Sequence, residues 1–148
     1  MVNNKLTIPM EEMIPLIRSA LCDGKPVEMT VTGRSMLPLL RDRLSSVRLI
    51  RPENLTVGDV VLFRRADGHY VLHRICAVHD GLYDILGDRL PAPDKDVPGS
   101  EIIARVAEFN RRGTHWRKSD RLYRFFLPGI RFALYCGRAA RQKLSPKN

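Results

Sequence analysis

Cysteine is scarce: Cys22, Cys76 and Cys136 are the only three in 148 residues, odd in number and far apart, which excludes a disulfide framework. They read as small apolar core residues in a reducing compartment. No Cys-x-x-Cys occurs, and His69 and His73, four apart, fall in a stretch patterned as a strand, where that spacing does not converge two imidazoles as it would on a helix. No metal and no cofactor is expected. Long apolar runs are also missing. Hydrophobic residues make up 44% of the chain, but no stretch approaches the roughly 20 residues that cross a bilayer as a helix. The first 26 residues, interrupted by Pro9, Glu11, Glu12 and Pro15, lack the basic-then-apolar order of a secretory leader. The expectation is a cytoplasmic protein with one domain and a sizeable core.

Met10, Met13, Ile14, Ile17 and Leu21 recur at helical spacing, with Glu11 and Glu12 early and Gly24 beyond the end, so residues 1–26 are read as a short amphipathic helix that covers one face. From residue 27 to 109 the pattern changes to short strands: Val27–Val31, Ser46–Ile50, Val60–Arg65, Tyr70–Val78, Leu82–Leu86 and Ile102–Phe109. Turn residues separate them at Arg51-Pro52-Glu53-Asn54, Ala66-Asp67-Gly68, His79-Asp80-Gly81 and Pro91-Ala92-Pro93. A mostly β domain follows, and strands this short and numerous favour a twisted, partly closed barrel over a flat sheet with exposed edges.

Four boxes carry chemistry. Gly33-Arg34-Ser35-Met36-Leu37-Pro38 puts a serine after a glycine turn; Gly58-Asp59 leads into Val60-Val61-Leu62-Phe63; His73-Arg74 sits within a strand; and Gly87-Asp88 is followed by Asp94. In order and spacing these boxes resemble the signal peptidase family, in its Ser-His-Asp branch, over about residues 27–109. The family's usual Gly-Asp-Asn-Asn reads Gly87-Asp88-Arg89-Leu90 here, and the spanning helix that typically precedes its serine box has no counterpart. The resemblance implies the β-rich catalytic fold shared by signal peptidases and self-cleaving SOS-type repressors. It also implies a substrate that is an extended peptide with small side chains just before the cleaved bond.

Serine is a poor nucleophile without a base, and a base works best when a third group orients it. Within the resemblance Ser35 is the nucleophile, His73 the base and Asp94 the orienting acid, with Asp88 its rival. An imidazole whose ordinary pKa is about 6.5 can accept a proton at neutral pH. The Ser35 amide is the natural oxyanion donor, Gly33 leaves room for close approach, and Arg34 and Met36 are candidate cleft residues. Cys76 lies in the same strand as His73 but on the opposite face, which disfavours a Cys-His pair. His79, in a turn, and His115, in a basic segment, are expected to be solvated, and Gly58-Asp59 to be structural.

Beyond residue 110 the composition shifts. Residues 111–148 hold eleven lysines and arginines against the single acid Asp120, so the segment carries +10 of a total +9 and leaves −1 on the rest. Trp116, Tyr123, Phe125, Phe126, Phe132 and Tyr135 are interleaved with that charge. A helical tail is expected here, suited to the headgroup region of an anionic membrane, to a partner or to its own domain; nucleic acid is less favoured because no recognition motif accompanies it. The expected activity is a serine endopeptidase, cytoplasmic and peripheral at the inner membrane face. Self-cleavage and a catalytically silent binding module that recruits membrane or a partner are the alternatives.

Overall fold

The helix α1, Met10–Cys22, buries Ile14, Ile17 and Leu21 and leaves Glu11, Glu12, Leu16 and Arg18 outside, as the spacing predicts. Burying three such side chains contributes about 1.5–3 kcal/mol each. Pro15 costs the helix a single backbone donor near its start and lies on the exposed face. The far end closes on Gly24, whose φ of +73° suits glycine, with Lys25 N–H donating to Ala20 O at 2.9 Å and Gly24 N–H to Leu21 O at 3.0 Å. Arg51 adds guanidinium donors to the carbonyls of Leu21 and Cys22. The structure is a computed structural model that describes residues 8–37, 40–111 and 113–117.

Eight strands follow: β1 Val27–Thr30, β2 Ser45–Ile50, β3 Val60–Arg64, β4 Tyr70–His79, β5 Leu82–Leu86, β6 Asp94–Pro98, β7 Ile102–Arg111 and β8 Thr114–Trp116. They form one antiparallel sheet in the order β1-β2-β7-β3-β4-β5-β6, with β8 added to β7. The expected barrel closure does not occur: β1 and β6 are edge strands of an open sheet. Each edge is blunted in its own way, β1 by its four-residue length and by α1 beside it, and β6 by the exposed charges of Lys95 and Asp96. Bulges at Arg48/Leu49, Leu62/Phe63, Ile75/Ala77 and Tyr83/Ile85 bend the sheet without joining its ends.

Both faces of β3 are buried, which explains its unbroken Val60-Val61-Leu62-Phe63 run. Val60 and Leu62 join α1, Met29, Met36, Leu49 and Phe109 in one core. Val61 and Phe63 join Ile75, Ile85, Val97 and Ile102 in a second core. Two other expectations change. Residues 94–98, beyond the Pro91-Ala92-Pro93 turn and not expected as a strand, are the strand β6, pairing through Ile85↔Asp94 and Tyr83↔Val97. His79 is not solvated: its Nε2 donates to Asp84 Oδ1 at 3.0 Å and lies 3.4 Å from Asp96. β8 extends the sheet to Trp116, whereas the helical tail expected further on lies outside the described residues, as does Pro38. Among the described residues no helix is long and apolar enough to cross a membrane.

Candidate active site

β1 ends at Thr30, and the chain turns through Gly33, whose φ of +91° is the left-handed conformation that a side chain resists. The Gly33 amide donates to Asp42 Oδ1 at 2.9 Å, and the loop is closed by Val31 N–H to Ser45 O at 2.8 Å and Arg43 N–H to Val31 O at 2.7 Å. Met36, 2% exposed, anchors the turn in the first core. Ser35 is left half-buried at the bend with its hydroxyl turned toward β4.

There it meets His73. The Ser35 Oγ to His73 Nε2 distance is 3.0 Å across 38 residues of sequence. His73 is buried on the Phe63 side of β4, with ring centroids 6.0 Å apart. Burial pushes its pKa down to about 4; the Asp94 charge works against that shift and the Arg65 charge adds to it. A neutral ring that accepts at Nε2 carries its hydrogen on Nδ1, and Nδ1 is buried with no hydrogen-bond partner among the described residues.

Neither candidate acid is bonded to that nitrogen. Asp94, at the start of β6, accepts from Arg65 Nε at 3.1 Å. Asp88 is committed elsewhere: Arg74 Nε and Nη2 each donate to its carboxylate at 2.8 Å, in a buried fork that also gives Arg74 Nη1 to Gly58 O. The backbone beside that pair holds the serine turn. The Asp88 amide points at Met36 Sδ at 3.4 Å, and the neighbouring Arg89 amide donates to Ser35 O at 2.8 Å. Gly87 completes the clasp, since a Cβ there would come within 3.0 Å of His73 Nε2 and 2.8 Å of Leu90 Cδ1.

Gly58-Asp59 is structural: the Asp59 carboxylate accepts from Thr56 N–H at 2.8 Å. Cys76 is remote from the dyad, with its thiol directed to Asp84 O. Arg34 is exposed and lines a cleft of about 260 Å3 beside Ser35, together with Met36 and Gly33. Along this cleft β4 offers a free edge. Residues 70–74 pair with β3, but β5 pairs only from Arg74 onward, so among the described residues Tyr70 and Leu72 have no strand on the second side.

The contacts of three contributors escape sequence reasoning. Arg65 lies in an unremarkable Arg-Arg turn, with nothing local to tie it to Asp94 across 29 residues. Arg74 carried one signal, a cation inside an apolar strand run, which demands a buried partner. Gly87 was visible as a Gly-Asp pair, although its closeness to His73 was not. No protein-family model, curated protein or solved structure matches this chain.

Proposed function

We propose that this chain is a serine endopeptidase of the signal peptidase type, acting on an extended segment of peptide. The observation that carries the reading is the 3.0 Å approach of Ser35 Oγ to Nε2 of a buried, neutral His73. Ser35 attacks the scissile carbonyl while His73 Nε2 takes its proton, and the Ser35 amide faces the developing oxyanion. The imidazolium returns that proton to the leaving amine. Water, deprotonated by the same nitrogen, then releases the acyl group and restores Ser35. In this reading Asp94, whose charge already favours the protonated ring, stabilises the imidazolium by exchanging its bond to Arg65 for one to His73 Nδ1. The edge at Tyr70 and Leu72, free among the described residues, lets a peptide add as a further strand, with backbone pairing for affinity and alternate side chains for selection.

The basic, aromatic segment 111–148 supports attachment to an anionic membrane, which brings the site to membrane-bound substrates at the inner face. Binding to anionic but not neutral liposomes tests that part separately. One observation favours the silent binding module instead: His73 Nδ1 has no carboxylate among the described residues, because Asp94 is engaged by Arg65.

Comparing protein N-termini by mass spectrometry in cells expressing wild type or Ser35→Ala at equal level decides between the two. New termini that depend on Ser35 support the protease, and identical sets with both proteins folded support the binding module.

A further inference from the structure

The cleft that Ser35 opens onto is lined mainly by apolar side chains, with Met10 the most exposed of its methionines and with the exposed Thr32 and Arg34 completing it. Its volume is about 260 Å3. An apolar cavity of about 150 Å3 already accepts a benzene ring. An alanine methyl would leave most of this space without contacts, and the surrounding side chains would forfeit their dispersion partners. Met10, half-buried where Met29 and Met36 are packed in the core, has an unbranched chain that reshapes around a varied apolar guest. The cleft is continuous with the nucleophile, since Ser35 itself lines it, and, through Tyr70 and Leu72, with the edge of β4 that has no second strand among the described residues. A peptide lying along that edge sends every second side chain to one face, so one residue close to the cut bond is delivered into the cleft.

We propose that this cleft selects a large apolar side chain, of leucine, methionine or phenylalanine type, within two residues of the scissile bond, and that Met10 of α1 is one of the residues that set the preference. This rests on the protease reading and sharpens its substrate class, because the family likeness implies small side chains there. It also gives α1 a second role, since the helix that buries Ile14, Ile17 and Leu21 in the core brings Met10 to the cleft.

The test is a position-scanning library of ten-residue peptides incubated with the full chain and with Ser35→Ala, the cut sites being read by mass spectrometry. The expected result is Ser35-dependent cleavage with a large apolar residue at one fixed position, and kcat/KM for leucine over alanine of about 50-fold. Met10→Trp, which fills the cleft, lowers that ratio by about 10-fold, and Met10→Ala, which widens it, moves the preference toward phenylalanine; thermal melts establish that both variants fold. Ser35-dependent cleavage with alanine, glycine or serine preferred at that position overturns the proposal and leaves the protease standing. A ratio that neither Met10 variant moves overturns the role of Met10. If no peptide is cut in a Ser35-dependent way, the protease reading falls and the proposal with it.

Discussion

Arg65 Nε donates to the Asp94 carboxylate at 3.1 Å, so the acid that the signal peptidase resemblance pairs with His73 rests on a different cation. His73 Nδ1 is left buried and unpartnered among the described residues, while Asp94 still acts on the ring through its charge. Replacing Arg65 by Gln removes a repelling charge and frees Asp94 at once, and both changes raise the His73 pKa from about 4. Since the base must be neutral, the acid limb of the kcat/KM profile moves upward by about 1 unit or more in Arg65→Gln and downward in Asp94→Asn. Superimposable profiles for all three proteins would remove Asp94 and Arg65 from the mechanism.

His73 also ties stability to pH. Its pKa is about 4 when folded, against about 6.5 when unfolded, so the unfolded chain takes up the proton first as pH falls. The associated stability is fully present above pH 6.5 and is lost as pH falls through 6.5 toward 4, by on the order of 3 kcal/mol. Urea unfolding at about pH 7 and about pH 4.5 should show a smaller loss in His73→Gln than in wild type.

The Arg74–Asp88 fork is buried, with side chains 0% and 1% exposed. Removing either partner strands a charge, and Arg74→Ala or Asp88→Ala is expected to cost about 3–5 kcal/mol. Because Asp88 and Arg89 hold the serine turn through their amides, the loss of activity should exceed what the unfolded fraction explains. Paired measurements of urea midpoint and of activity under fully folded conditions check both parts.

Gly87→Ala separates positioning from folding. Leu90 can swing aside from the added methyl, but His73 Nε2 at 3.0 Å cannot without losing its line to Ser35. A displacement of the order of 1 Å is worth about 100-fold in rate. The expected outcome is a kcat lowered by that factor with a thermal midpoint shifted by only a few degrees; equal loss in both would point to a general packing defect.

Much of the fold was legible because its signals are local. The 3.6-residue spacing from Met10 to Leu21 defined α1, and turn residues bounded β2, β3, β4, β5 and β7 to within a residue or two. β6 was missed because Asp94-Lys95-Asp96-Val97-Pro98 has one strongly apolar residue and a closing proline; it is a strand through pairing with β5, which no local pattern encodes. Barrel closure failed as an expectation for the same reason. Whether two edge strands meet depends on accumulated twist and bulges, not on the composition of either edge.

At the site, the sequence by itself determined which groups could react: a serine after a glycine turn, a histidine in an apolar strand, and two aspartates beyond it. Residue type and local backbone preference suffice for that. The tertiary structure decided which of them touch. It brought Ser35 to 3.0 Å from His73, gave Asp88 to Arg74 and Asp94 to Arg65, and buried His73 deeply enough to lower its pKa. Those outcomes arise from burial and from charges that lie far apart in the chain, and only strand register and the bend of the sheet bring such groups together.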